Sequence, residues 1–111
     1  MISKENAEHF VWKDVCDGWF LVQQSNLSVV HERIAPGLNE QRHFHKVIRQ
    51  FYFVLFGQAS LELNGKLEKL GAFQGVEIPP ETPHQMRNDS SADIEFLIIS
   101  SGLAKNDVYA A

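Results

Sequence analysis

The dipeptide Asn64-Gly65 separates two runs of β-forming character, Ala59 to Leu63 and Lys66 to Leu70. Both central positions of a type I′ turn need positive φ, and Asn-Gly meets that need at little steric cost, so this stretch predicts a tight β-hairpin. Similar punctuation recurs along the chain. Leu27 to Ile34 alternates between two faces, with Leu27, Val29, His31 and Arg33 on one and Ser28, Val30, Glu32 and Ile34 on the other, and it closes at Pro36-Gly37. A loop from Gly71 to Gly75 leads into a strand over Val76 to Ile78, and Asp89-Ser90-Ser91 turns the chain into a long β-rich run from Ala92 to Ser101. Toward the N-terminus, Phe10 to Val15 and Trp19 to Gln23 read as strands about an Asp17-Gly18 turn, with Ser25-Asn26 as the next break. Met1 to Glu8 is polar and reads as a loose arm or a short first strand, with His9 beside it in solvent. Nothing repeats, and no stretch sustains a helical period. About seven to nine short strands punctuated by Gly, Pro and Asn predict an all-β sandwich or barrel.

With 111 residues, 44% hydrophobic and 22% charged, the chain is expected to form one domain over residues 1–111 and to bury a core without covalent staples. The formal charge of −4, with no basic run, argues against nucleic acid and anionic membrane surfaces as partners. No run approaches the roughly 20 apolar residues of a membrane span, and MISKENAEHF lacks the apolar segment of a secretory signal. Cys16 is the single cysteine, so no intramolecular disulfide forms, and the cytoplasm is the default location.

The chemistry concentrates between Gly37 and Gly57. His43 and His45 stand two apart, and in a strand such residues share a face. A second stretch, Ile78 to Asn88, brings one histidine, His84, just after a corner stiffened by Pro79, Pro80 and Pro83. A rigid corner that delivers one imidazole to a histidine pair would hold three nitrogen ligands about one point.

These two stretches resemble the paired motifs of the cupin superfamily. The first cupin motif reads Gly, five residues, His-x-His, four residues, an acid, six residues, Gly; Gly37, His43, His45 and Gly57 stand at those spacings, with Gln50 at the acid position. The second ends Pro-x-Gly-x-x-His-x-x-x-Asn; Pro79, His84 and Asn88 match, and Glu81 replaces the glycine. The resemblance implies a cupin-type double-stranded β-helix, or jelly-roll barrel, with a core over about residues 27–101. It also implies one metal site at the barrel mouth, built from His43, His45, Gln50 and His84.

Neutral imidazoles suit a divalent transition metal (zinc, iron, nickel, manganese or copper) and argue against magnesium or calcium, which prefer oxygen cages. Where most cupins carry glutamate, Gln50 leaves the full dication on the site, which strengthens Lewis acidity and weakens retention. It serves either as a direct ligand or as a group bonding a neighbouring histidine or water. Tyr52 and Val54 share the Gln50 face, so Tyr52 reads as pocket-lining, either core with its hydroxyl satisfied or a substrate-binding acid. Met86 shares the His84 face and reads as pocket wall, its thioether being too soft for this nitrogen site. His31 reads as surface or supporting, and Arg42, Arg49, Glu40 and Arg87 as solvated rim groups. Because cupins include oxygenases, isomerases, lyases and sensing domains, the resemblance leaves two functions open. One is a small metalloenzyme acting on a small organic molecule; the other is a non-catalytic ligand-binding or sensing module. No catalytic residue is assigned.

One conflict bears on assembly. Phe51, Phe53 and Leu55 alternate with Tyr52, Val54 and Phe56, so both faces of one strand are apolar, and Leu97 and Ile99 oppose Ile94, Phe96 and Ile98 in the same way. An antiparallel strand with one wet face should alternate apolar and polar. The outer set needs cover, either from Phe10, Val11 and Trp12 or from a second subunit. A chain this short has little spare material, so a homodimer is expected, as is common among cupins. The last ten residues, Gly102 to Ala111, read as a mobile tail or a partner-facing segment.

Overall fold

The computed structural model describes residues 1–111, which form eleven strands and one 3₁₀ turn. The strands are β1 (Glu8–Trp12), β2 (Cys16–Gln24), β3 (Leu27–Ile34), β4 (His43–Phe44), β5 (Gln50–Phe56), β6 (Ala59–Leu63), β7 (Lys66–Leu70), β8 (Gly75–Ile78), β9 (His84–Arg87), β10 (Ile94–Ser100) and β11 (Tyr109–Ala110), with the 3₁₀ turn at Ala104–Asn106. A six-stranded sheet runs β1-β2-β3-β10-β5-β8 and a five-stranded sheet β11-β4-β9-β6-β7, with every named pairing antiparallel. The two sheets form a double-stranded β-helix without closing into one hydrogen-bonded barrel.

The expected hairpin is β6–β7, with Asn64 at φ 51° and Gly65 at φ 89°, both in the left-handed region that a type I′ turn requires. The inward face of β3 is the one bearing Ser28, Val30, Glu32 and Ile34: Ile34 is in the core, and the other three border a cavity. On β5 the alternation falls as expected, with Gln50, Tyr52 and Val54 buried and Phe51 37% exposed. Tyr52 stacks on Phe96 of the neighbouring strand, ring centroids 5.7 Å apart. With Leu61, Met86, Ile94 and Ile98 they make the centre of a twelve-residue apolar core.

Two local readings are corrected. Asp17-Gly18 is no turn; both residues lie inside β2. Gly18 is there because the Phe10 ring lies across it, and a β-carbon at that position would come within 2.0 Å of the ring. The turn falls instead at Lys13 and Asp14, which take φ 50° and 64° without a glycine to signal them. Cys16, opening β2 opposite Trp12, is fully buried.

The C-terminal residues are likewise no free tail. β11 pairs with β4, Tyr109 opposite Phe44 and Ala110 opposite His43, and the Tyr109 ring stacks on Phe44 at 5.4 Å. At the other end of the chain, β1 extends the large sheet sideways and does not cover it. The N-terminal arm reaches the outer face where Lys4 binds Glu95 at 2.9 Å and lies over the Trp19 ring. Phe51, Phe53, Leu97 and Ile99 remain side by side on that face, with the rings of Phe51 and Phe53 5.9 Å apart. No helix is long and apolar enough to cross a membrane.

Candidate metal centre

Three imidazoles meet between β4, the turn after it, and β9. His43 stands opposite His84 in the β4–β9 ladder, and His45 follows two residues on. The ligand atoms of His43, His45 and His84 lie within 4.8 Å of one another. The proline-bearing turn before β9 is tied back to the first stretch, its Glu81 N–H bonded to the carbonyl of His45.

Each imidazole spends its Nδ1 on a backbone carbonyl: His43 donates to Gln41 at 2.7 Å, His84 to Thr82 at 2.8 Å and His45 to Asp107 at 2.5 Å. With the proton on Nδ1, Nε2 keeps its lone pair. Nε2 of His45 and of His84 are buried and have no hydrogen-bond partner. Burial, the largest cause, lowers the pKa of all three rings, His84 to about 4, with the neighbouring imidazoles adding to the effect on His45 and His84. The rings are therefore neutral at pH 7, the form that binds a metal.

Gln50 opens β5 beside His45. Its Nε2 donates to Ser100 Oγ at 3.0 Å, which leaves Oε1 as a buried acceptor with no partner. Three partnerless acceptors in one buried place are costly unless something positive or donating sits among them. A divalent transition metal suits that set: two or three imidazole nitrogens and an amide oxygen, with each histidine oriented by a carbonyl behind it.

Beside the histidines lies a cavity of about 220 Å³, bordered by His43, His45, Gln50, Tyr52, Glu32 and Glu40 among others. Tyr52 therefore lines the pocket, whereas Met86, expected on its wall, is fully buried in the core and does not border it. Glu40 corrects the sequence reading most. It is no rim group: its Oε1 accepts from the Tyr52 hydroxyl at 3.0 Å and from the Met86 N–H at 2.8 Å. Burial pushes the Glu40 carboxyl up to about 7, against the lowering effect of those two donors. Burial, and then the charge of Glu40, pushes Glu32 up to about 8. Tyr52 is raised well above its ordinary value, by burial first and then by both carboxylates, so its hydroxyl stays a donor.

Glu32 was discoverable from sequence once the inward face of β3 was known, since it alternates with Val30 and Ile34. Glu40 lies in an irregular loop three residues before His43, where no periodicity marks it. The remaining charged residues behave as read: Arg42 pairs with Glu62, Arg49 with Glu77 and Arg87 with Asp89. His31 lies on the outer face, bonded to Glu95 at 2.8 Å and edge-on to Trp19.

Comparison with known proteins follows this geometry. A polyketide synthase protein, CurC, from Streptomyces cyaneus is 30% identical over 69 residues, covering 62% of this chain and 45% of its own length, so the chain spans under half of that relative. A sugar phosphate isomerase of the cupin superfamily from Silicibacter pomeroyi superposes with a TM-score of 0.84 at 19% identity, over 100% of this chain and 81% of that one. A predicted oxalate decarboxylase from Thermotoga maritima superposes with a TM-score of 0.84 at 17% identity, over 93% and 99% of the two chains. At such identities the structural likeness establishes the fold. The family model described as the cupin domain matches residues 30–100, a span that runs from β3 through both histidine motifs to the end of β10, and the chain belongs to that family.

Proposed function

We propose that the protein is a small metalloenzyme that moves protons on an oxygen-bearing small molecule, of isomerase or lyase type. His43, His45, His84 and Gln50 hold one divalent transition metal in this reading. The observation that carries it is the pairing of partnerless buried acceptors on one side of the cavity with a protonatable carboxyl, Glu40, on its wall. A bound dication supplies Lewis acidity toward an oxygen of the small molecule.

The chain's own residues do the rest. Glu40 exchanges a proton with the ligand, because a carboxyl titrating near neutrality is matched to general acid–base work. Tyr52 O–H and Met86 N–H hold the Glu40 carboxyl in place through Oε1 and leave its Oε2 freer, with only the Tyr52 hydroxyl at 3.3 Å. Glu32 keeps a second carboxyl nearby, and the neighbouring charge discourages both from ionising together. Ile98 and Val30 give the cavity apolar walls that limit water. The isomerase and predicted decarboxylase among the structural relatives are compatible with such chemistry.

The test is metal-loaded protein in deuterated water with a panel of small oxo acids, hydroxy acids and sugars, followed by NMR. Deuterium should enter at least one compound, and Glu40→Gln should slow that exchange by about 10²–10⁴-fold while metal content stays unchanged. Binding of a compound with no exchange by the wild type would mark the barrel as a ligand-binding module. Equal exchange by Glu40→Gln would remove Glu40 from the chemistry.

A homodimer completes the proposal. The support is the apolar outer face on which Phe51 is exposed and Phe53, Leu97 and Ile99 are half-buried, a face that β1 extends past and does not close over.

A further inference from the structure

Of the three imidazoles, two have their tautomer set locally, since His43 and His84 each donate Nδ1–H to the carbonyl two residues before them. His45 differs. Its acceptor is the carbonyl of Asp107, 62 residues away, on the segment that follows β10. The same residue grips the turn that carries His45 a second time through its side chain. Asp107 Oδ1 accepts from Lys46 N–H at 3.1 Å, and Oδ2 accepts from Val47 and Ile48 N–H at 2.8 Å each. Three successive amides of the turn just after His45 thus converge on one carboxylate, and those bonds hold its pKa below the ordinary range.

The segment that carries Asp107 is also cavity wall. Leu103, Ala104, Lys105 and Val108 all border the space beside the histidines. The 3₁₀ turn sets Asp107, whose N–H returns to the Ala104 carbonyl at 3.0 Å. Beyond it, β11 and the Ala111 N–H bonded to Arg42 fasten the chain on the far side of His43.

We propose that Asp107 is a positioning residue for the metal centre, and that residues 103–110 act as a clamp coupling cavity closure to the His45 tautomer. The inference rests on the metal reading above, and deepens it. With the clamp seated, Nδ1–H of His45 is committed to the Asp107 carbonyl and Nε2 faces the other two rings. With it displaced, the His45 proton is free to move to Nε2, the nitrogen a metal needs. Coupling of this kind is reciprocal, so a ligand that holds the wall shut strengthens metal binding, and metal steadies the wall.

The experiment measures two quantities on wild type, Asp107→Asn, Asp107→Ala and a chain ending at Gly102. The first is zinc affinity by competition with a fluorescent chelator. The second is the tautomer of each histidine in metal-free protein, from ¹⁵N shifts of the imidazole nitrogens. Asp107→Ala and the truncated chain are expected to bind zinc about 10–100-fold more weakly. In both, His45 should become a mixture of tautomers, while His43 and His84 stay protonated on Nδ1. Asp107→Asn keeps an acceptor oxygen and should lie between these and wild type. Should the alanine variant or the truncated chain fail to fold, Asp107→Asn decides by the same two readouts. Wild-type affinity together with an unchanged His45 tautomer in the folded variants would overturn the clamp. If the wild type binds no zinc or other transition metal, the metal reading fails, and the tautomer measurement still judges the clamp by itself.

Discussion

The backbone N–H of Glu81 donates to the carbonyl of His45, tying the loop that delivers His84 to the strand end that delivers its partners. Glu81 makes that bond from φ 62°, in the left-handed region. The second motif of the family places glycine there, and the conformation that glycine would serve is kept although the residue is not. For an L-residue this costs roughly 1–2 kcal/mol, offset in part by the extra chain entropy that glycine loses on folding. Glu81→Gly should therefore stabilise the protein by about 0.5–1 kcal/mol and leave the three-histidine cluster in place. Urea denaturation at constant m-value measures it; a loss of stability would show that the Glu81 side chain contributes more than its backbone costs.

Gln50→Glu places a carboxylate where an unpartnered amide oxygen now stands. An added anion beside a dication should tighten metal binding by about tenfold or more. It should also shift metal release by acid to lower pH. Without metal the same change buries a charge next to His45 and should lower stability. Chelator competition across a pH series reads both, and unchanged affinity would place Gln50 outside the ligand set.

The metal-free protein should lose stability as pH rises above neutrality. Glu32 and Glu40 have folded pKa values of about 8 and 7 against 4.5 for the ordinary carboxyl, so the folded state holds more protons than the unfolded chain between those limits. Their contribution is complete below pH 4.5 and is lost as pH climbs through 7 and 8. The histidines act oppositely: with folded values below 6.5, they stabilise above that pH and cease to as it falls, His84 down to about 4. The two trends oppose each other between pH 4.5 and 6.5, and the carboxyls act alone above 6.5. Besides each other, the ionisable groups bordering their cavity are Tyr52, Lys105, His43 and His45. Thermal melts from pH 5 to 9 should show the fall above 6.5, and Glu32→Gln should flatten it.

Phe53→Glu tests assembly. Fully burying an exposed large side chain is worth roughly 1.5–3 kcal/mol; these residues are half-buried or little more than a third exposed, so each gains a fraction of that, and a charge in the middle of the patch removes the gain. Sedimentation of wild type at tens of micromolar should give a dimer, and of the variant a monomer. A monomeric wild type would mean that the face stays wet.

Legibility in the sequence followed the kind of information each feature needs. His43, His45 and His84 were readable because their spacing is local and their strand partners repeat a family pattern. Asn64-Gly65 was readable because its turn demands those residue types. Gly18 misled because glycine signals a turn and a close ring contact equally well, and only the Phe10 side chain distinguishes them. The clamp was invisible for a different reason: Asp107 reaches His45 through its carbonyl, an atom every residue possesses, and its carboxylate binds backbone amides that no residue type marks. Glu40 stayed hidden because loop burial depends on what lies across the cavity, and nothing near it in the chain encodes that.

Cys16 sits at zero exposure where β2 begins, in the hairpin that forms the outer edge of the large sheet. A thiol so placed meets an alkylating reagent only while that edge is detached. As the chain's single cysteine, it is a built-in clock: the rate at which it is labelled under native conditions counts openings of the N-terminal hairpin.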